Sequence, residues 1–306
     1  MRLLIFFLLW VGVGVCNADA LKWLDKMGVA LREQNYVGTF IYMRGSLIET
    51  AHVEHQFHNG REFERLTHLN GEPRVVVRRD NDLVCNNQKS ETNCTNHNIS
   101  LGPFSAAFNK NLVINHEQYR FIMHGKDRIA GRSAVKIKIT PSFGDRFGYR
   151  LWLDEESRLP LQSQLFQRNR ILEVFQFSSL EMGQQLEKGN LDFMEDDTFA
   201  NRLAAEPQEY EALETPAWRV SWLPAGFKPV QAKQSDRLHF TDGLAGLSVF
   251  VERKRSILPE ITTYLGATTV ITRRLNGTQG QITVVGEIPI DTARKIADSV
   301  ERVVYR

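Results

Sequence analysis

A run of hairpin signals that begins after Tyr36 constrains this chain more than any other feature. The segments VGTFIYM, LIETAHVEHQF, REFERLTHL and EPRVVVRR alternate apolar and polar residues, and the short turns RGS, HNG and LNG separate them. A period of two places every second side chain on one face of a strand, and Gly and Asn turns return the chain beside the strand it has just left. The pattern predicts an antiparallel meander.

The strand pattern resumes after Asn109 in five further segments: EQYRFIMHG, SAVKIKITP, GYRLWLD, LPLQSQLFQ and ILEVFQFSSL. Eight or more strands with so few helices favour a mainly β (α+β) fold in which a curved antiparallel sheet forms an unclosed barrel. LKWLDKMGVALREQN has apolar residues at helical spacing, so it predicts a capping helix from Leu21. Residues 99–115 are expected to add a second cap of helix or loop. The concave side of such a sheet offers an apolar pocket.

The segment between the two strand-rich regions is acidic and rich in alanine, which indicates a linker. We therefore expect a large domain at 21–197, a linker at 198–216 and a smaller α+β domain at 217–306. The smaller domain should have four or five strands and a terminal helix. That helix would begin behind a cap at Asp291 and present one apolar face: Ala293, Ile296, Ala297, Val300 and Val303.

The first twenty residues have the pattern of a cleavable secretory signal: Arg2, an apolar run from Leu3 to Val15, and Ala18 with Ala20 before the cut. The apolar run is shorter than the roughly 20 residues of a membrane-spanning helix. A lipid anchor at Cys16 is the alternative, although Val15 is larger than the small residue that normally precedes such a cysteine. The mature protein is thus expected outside the cytoplasm. There Cys85 and Cys94 should form a disulfide that closes a short polar loop, worth roughly 2–3 kcal/mol.

The histidines of AHVEHQFHNG raise the question of a metal site. On a strand His55 faces away from His52 and His58, and the latter two lie about 20 Å apart at roughly 3.3 Å per residue. No single zinc could join them. We predict solvated strand histidines and no metal, and Cys-His metal binding is the weaker alternative for the cysteines because no second cysteine pair exists.

Charge and motifs give no sign of nucleic-acid binding or of catalysis. The formal charge is +2 with acidic and basic residues interspersed. The chain has no Gly-x-Ser-x-Gly elbow and no phosphate-binding glycine loop. Carboxylates such as Asp154, Glu155 and Glu156 are interpreted as solvated hairpin residues. We expect a binding protein without a cofactor.

Several segments in order resemble the MucB/RseB family of periplasmic regulators of an envelope-stress sigma factor: WLDKMGVALREQNYVGTFIY, DRIAGRSAVKIKITP, GYRLWLDEESRLPL, WLPAGF, HFTDGLAGLSVFVE and VVGEIPIDTARKIADSV. LWLDEESRLPL is also similar to the LolA and LppX type of lipoprotein-carrier fold. The resemblance implies that the protein binds the periplasmic part of a single-pass, RseA- or MucA-like anti-sigma factor, shields it from site-1 proteolysis, and senses lipid or lipopolysaccharide. A periplasmic lipid or lipoprotein carrier is the alternative function, and the resemblance leaves homo-oligomerisation open.

On this interpretation two sets of side chains are candidates for the binding sites. The lining of the lipid pocket is predicted to include Phe121, Met123, Leu151, Leu153, Leu165 and Phe175. The partner surface of the smaller domain is predicted to include Trp222, Phe227, Phe240 and Phe250, since aromatic residues dominate such contacts. Packing in the domain core is the competing interpretation for those four aromatics.

Overall fold

The computed structural model describes residues 17–80, 82–86, 117–183, 217–230, 236–253, 259–275 and 280–303. It begins with a helix, α1 (Asn17–Glu33), which starts four residues before the predicted Leu21. Ala20, Leu24, Met27 and Ala30 are buried along one side of this helix. Their spacing of three or four residues gives the helix the single apolar face by which it packs against the sheet. Within the part of the chain described, no helix has the length and apolar character needed to cross a membrane.

One antiparallel sheet of ten strands forms the large domain. The strands are β1 (Tyr36–Arg44), β2 (Leu47–His58), β3 (Arg61–His68), β4 (Val75–Arg79), β5 (Asp82–Asn86), β6 (Tyr119–Ile129), β7 (Arg132–Pro141), β8 (Gly148–Asp154), β9 (Pro160–Gln167) and β10 (Arg170–Met182). Their spatial order is β5-β4-β3-β2-β1-β10-β9-β8-β7-β6, so β5 and β6 are edges and the barrel is unclosed. This confirms the predicted sheet. The pairing of β1 with β10 joins the two hairpin series.

Alternation along the strands separates a buried inner face from a wet outer face. On β7, Val135, Ile137 and Ile139 are buried, whereas Lys136 and Lys138 between them are only partly covered. The ammonium of Lys136 lies 4.8 Å from the centre of the Trp152 ring on the neighbouring strand. The lysine stems therefore cover aromatic surface on the outside of the sheet while the branched residues fill the inside.

A second, antiparallel sheet of six strands forms the smaller domain, in the order β12-β13-β14-β17-β16-β15, with a separate two-stranded sheet of β11 and β18. The elements are β11 (Trp218–Val220), β12 (Lys228–Val230), β13 (Arg237–Thr241), β14 (Gly246–Arg253), β15 (Thr262–Leu265), β16 (Thr268–Arg274), β17 (Gly280–Gly286), α2 (Ile290–Asp298) and β18 (Val300–Arg302). The prediction of four or five strands was thus too low.

The terminal helix is also shorter than predicted. Helix α2 ends at Asp298, and the backbone N–H of Ser299 donates to the carbonyl of Ile296. The next residues pair with β11, Val300 opposite Val220, so Val300 and Val303 do not belong to the helical face. The N-cap position is Pro289, and Asp291 lies inside the first turn, where its carboxylate bonds Arg294. The β-branched valines lose less side-chain freedom in a strand than in a helix, which favours this early end.

The cores of the two domains are not fully separate. One apolar cluster fills the inner face of the large domain and includes Leu244 and Ala267, both residues of the smaller domain. A second cluster lies between α2 and the six-stranded sheet. Two loops of the smaller domain therefore complete the packing of the larger one.

Candidate functional site

All six predicted lining residues lie on the inner face of the ten-stranded sheet. Register places Phe121 opposite Ile139 and Met123 opposite Ile137, and both partners are core residues of β7. Phe121, Leu151, Leu153 and Leu165 have at most 1% of their surface exposed, Phe175 has 6%, and Met123 is partly buried. The six residues therefore share the buried face, and their role in lining a lipid pocket stays a prediction. In this conformation these side chains pack against one another and against α1, so a guest would have to displace some of these contacts.

Aromatic rings concentrate where β1 meets β10. The ring centroids of Phe40 and Phe175 lie 4.9 Å apart, and those of Phe175 and Phe177 lie 5.1 Å apart in an edge-to-face arrangement. Rings in such geometry contribute about 0.5–1.5 kcal/mol per pair beyond the area they bury. Glu173, two residues before Phe175 on β10, contacts the smaller domain directly through the backbone N–H of Ala267.

The four predicted partner residues of the smaller domain separate into two kinds. Phe227 and Phe240 are each 8% exposed and belong to the domain core. Trp222 is 37% exposed, with the ammonium of Lys295 5.5 Å from its ring centre. Phe250 is half-buried and meets His239 edge to face. Only Trp222 and Phe250 therefore offer surface to a partner in this conformation.

A buried ion pair joins the two domains. Arg146, from the turn between β7 and β8, donates from Nη1 to Asp242 Oδ2 at 2.6 Å, and both side chains are fully buried. Arg146 also donates to the carbonyl of Ala225 at 2.7 Å and to Asp145 Oδ1 at 2.9 Å. The hydroxyl of Tyr119 donates to the same Asp242 oxygen at 2.8 Å. Charges removed from water need such complete hydrogen bonding, and this pair has it.

The ionisation of this junction follows from its burial. Burial opposes the charge on Arg146, but hydrogen bonding to Asp145 and the negative charges of Asp242 and Asp145 outweigh it and leave the pKa of Arg146 raised. Burial, together with the charge of Asp242, raises the pKa of Tyr119 well above its ordinary value. Arg146 thus stays a cation and Tyr119 a hydrogen-bond donor throughout the physiological range.

A second polar contact between the domains is centred on Glu173. Its carboxylate accepts the hydroxyl of Tyr42 at 2.6 Å and the backbone N–H of Ala267 at 2.8 Å. Burial and the charge of Glu173 raise the pKa of Glu287, in the smaller domain, to about 8, although Arg44 opposes the shift. The charge of Glu173 therefore acts on Glu287 across the domain boundary.

Sequence analysis missed Arg146, Asp242, Glu173 and Glu287. Asp242 lies in HFTDGLAGLSVFVE and Glu287 in VVGEIPIDTARKIADSV, two of the segments that carry the family resemblance. Glu173 interrupts the apolar residues of ILEVFQF, and a charged residue within such a strand was the available signal. The pairing itself could not be predicted, because Arg146 and Asp242 are 96 residues apart in the chain.

One histidine of the AHVEHQFHNG segment, His55, lies beside a largely buried group of charged side chains. His55 is fully buried, so the prediction that it is solvated was wrong: it lies on the inner face of β2 and stacks on Tyr36 with centroids 4.7 Å apart. In the described ranges, the ligand atoms of His55, Glu62 and Glu64 lie within 4.8 Å of one another. Arg78 contacts Glu62 and lies 3.3 Å from Glu64. Arg78 thus places one guanidinium cation against both carboxylates.

Three other predictions fall wholly or partly outside the described residues. The predicted disulfide joins Cys85, whose backbone belongs to β5, to Cys94, which lies outside the described residues. The predicted linker and the predicted cap at 99–115 also lie outside them. The solvated carboxylates were only partly predicted: Asp154 is buried and accepts two hydrogen bonds from Arg132, whereas Glu156 is exposed.

Comparison with known proteins connects this architecture to a family. Residues 19–194 match the MucB/RseB N-terminal domain and residues 212–301 match the MucB/RseB C-terminal domain. The sigma factor AlgU regulatory protein MucB of Pseudomonas aeruginosa is 32% identical over 302 residues, which cover 92% of this chain and 91% of that protein. The sigma-E factor regulatory protein RseB of Haemophilus influenzae is 28% identical over 292 residues, with coverages of 92% and 91%. A crystal structure of MucB in complex with MucA(peri) superposes with a TM-score of 0.71 at 30% identity, covering 94% of this chain and 100% of that one.

Proposed function

Because this chain belongs to the MucB/RseB family, we propose that it is a periplasmic regulator which binds the periplasmic part of a MucA- or RseA-like anti-sigma factor. Both family domains are present in order. The observation that carries the proposal is the likeness over 94% of the chain to a MucB that was solved in complex with MucA(peri). The protein acts by binding rather than by catalysis. Its proposed export depends on the signal-like first twenty residues.

The bound anti-sigma segment is shielded from site-1 proteolysis, and an amphiphile on the inner face reverses the shielding. The inner face and the domain junction are physically connected: Phe175 lines the inner face, and Glu173 two residues earlier on the same strand accepts the N–H of Ala267. A guest that displaces the aromatic rings would shift β10 and this contact with it. Coupling of 1–3 kcal/mol would change the affinity for the partner about 5- to 150-fold.

A protection assay tests the proposal. The periplasmic segment of the cognate anti-sigma factor is digested by its site-1 protease with and without this protein, and then with added lipopolysaccharide or a single-chain lipid. We expect cleavage to slow when the protein is present and to recover when the amphiphile is added. Unchanged cleavage would count against the regulator, and lipid transfer between vesicles without any anti-sigma binding would favour the carrier instead.

Strand β6 provides a matched pair of variants for the amphiphile step. Met123 faces inward opposite Ile137, whereas its neighbour Ile122 lies opposite Lys138 on the outer face, and both are partly buried. Met123→Gln should weaken recovery by the amphiphile because it places a polar group on the inner face. Ile122→Gln should leave recovery unchanged. Equal effects of the two variants would argue against the inner face as the lipid site.

A further inference from the structure

Sheet edges in this protein are protected against pairing with other chains, with one exception among those whose side chains the structure describes. Strand β6 has a register shift between Met123 and Lys126, and its exposed residues include Lys126 and Asp127. Strand β12 carries Lys228 and Pro229, both exposed. Charges, prolines and irregular pairing are the usual means of blunting an edge. Strand β15, at the other edge of the same six-stranded sheet, reads TTYL and has none of them.

The backbone of β15 directs hydrogen-bonding groups toward its open side. The N–H of Thr272 on β16 donates to the carbonyl of Ile261, so the backbone groups of Ile261 face β16. Directions alternate along an antiparallel pair, and the register from Thr262 to Leu265 has no shift. Thr263 and Leu265 therefore face β16 as well. The N–H and C=O groups of Thr262 and Tyr264 point away from the sheet.

Apolar and basic side chains of both domains surround this edge. Tyr264 and Leu265 are 50% and 43% exposed. A Cβ on Gly45, in the β1–β2 turn of the large domain, would lie 3.6 Å from Leu265 Cδ1, which shows how closely that turn approaches. Leu47 at the end of the same turn is 41% exposed. The guanidinium of Arg170, the first residue of β10, lies 5.8 Å from the ring centre of Tyr264.

We propose that β15 is the place where an extended segment of the anti-sigma factor adds itself to the sheet as a seventh strand. This inference rests on the proposed function and specifies the surface. A polypeptide is the occupant because only another backbone matches the alternating donors and acceptors of Thr262 and Tyr264. Alternate apolar side chains of the segment would cover Tyr264 and Leu47, and an acidic residue would pair with Arg170. One segment would then contact both domains, so that a shift between them loosens its binding.

Affinity measurements on edge variants test the assignment. The full-length mature protein is titrated with the anti-sigma periplasmic segment by isothermal calorimetry, and melting curves establish that each variant is folded. Thr262→Pro removes an outward N–H without removing a bond to β16, and Tyr264→Lys places a charge on the edge. Each should weaken binding about tenfold or more. Val230→Lys adds the same charge to the exposed edge strand β12 and should leave binding unchanged.

Hydrogen exchange supplies a readout that is independent of these substitutions. In the wild-type complex, the amides of Thr262 and Tyr264 should gain protection, while that of Thr263, already bonded to β16, should change little. Wild-type affinity in both edge variants, or equal protection changes at the three amides, would overturn the inference. Edge variants that alter self-association but not partner affinity would assign the edge to a second copy and overturn it too. A wild-type protein that fails to bind the segment would refute the proposed function itself, and the strand assignment with it.

Discussion

The buried ion pair between Arg146 and Asp242 gives the most direct test of how the two domains are held together. Arg146→Met removes the bonds of 2.6, 2.7 and 2.9 Å to Asp242, Ala225 and Asp145 and leaves Asp242 as a buried carboxylate. Breaking one side of a buried pair typically costs about 3–5 kcal/mol. We expect the lower end here, because Asp242 retains the Tyr119 hydroxyl and the backbone N–H groups of Leu244 and Ala245.

The sign of the stability change caused by a second substitution, Asp242→Asn, distinguishes an ion pair from mere loss of packing. In the wild type, Asp242→Asn should destabilise the protein, because it leaves the Arg146 cation with a weaker partner. In the Arg146→Met background the same change should stabilise it, because Asn keeps an acceptor for the two backbone N–H groups and removes the unpaired charge.

Urea unfolding followed by tryptophan fluorescence and circular dichroism measures the free energies of unfolding of the wild type and the variants. Separation of one transition into two would show that the domains have been uncoupled. Arg219→Met is the control, because the Arg219–Glu301 pair is exposed and its loss should lower the free energy of unfolding by less than about 1 kcal/mol. If Asp242→Asn had the same effect in both backgrounds within about 0.5 kcal/mol, the buried pair would not couple the domains as reasoned here.

Three further expectations concern the junction and the smaller domain. Because the folded-state pKa of Glu287 is raised to about 8, the free energy of unfolding should fall as pH rises from about 5 to about 8. The fall should reach roughly 3 kcal/mol near pH 7. A pH series of urea midpoints should show it in the wild type and not in Glu287→Gln. Gly266→Ala should lower the melting temperature more than Gly60→Ala. Both glycines have positive φ, but a Cβ at Gly266 would collide with side chains of the large domain, whereas one at Gly60 would meet nothing within 4 Å. Phe240→Ala should lower the free energy of unfolding by about 3–5 kcal/mol because its ring is buried. Trp222→Ala should lower it clearly less while weakening anti-sigma binding. A larger loss of stability for Trp222→Ala than for Phe240→Ala would remove Trp222 from the proposed partner surface.

Local pattern was sufficient to predict most of the elements. Strands β1 to β3 and β6 to β10 follow an alternation that one sequence displays by itself, and turns such as His58–Arg61 require a conformation that Asn59 and Gly60 adopt with positive φ. The same alternation placed all six lining candidates on one face of the sheet, which is the buried one. Family membership could also be predicted from local segments, because their order and spacing are visible in the sequence without any knowledge of contacts.

Tertiary structure decided what depends on distant partners. The end of α2 at Asp298 is set by pairing of Val300 with a strand 80 residues earlier in the chain, and this pairing overrides the helical spacing of Val300 and Val303. His55 looked like a polar strand residue, yet the sheet carries it inside, where Tyr36 stacks on its ring and the carbonyl of Gln34 bonds it.

The contacts at the domain junction were likewise decided by the tertiary structure. Sequence alone determined that this chain makes two β-rich domains with one apolar inner face, because a period of two is a property of neighbouring residues. It could not determine that Arg146 meets Asp242 or that Glu173 meets Ala267. Buried charges are stable only where the whole fold brings a complementary group within hydrogen-bonding distance, and that distance is a property of the assembled chain.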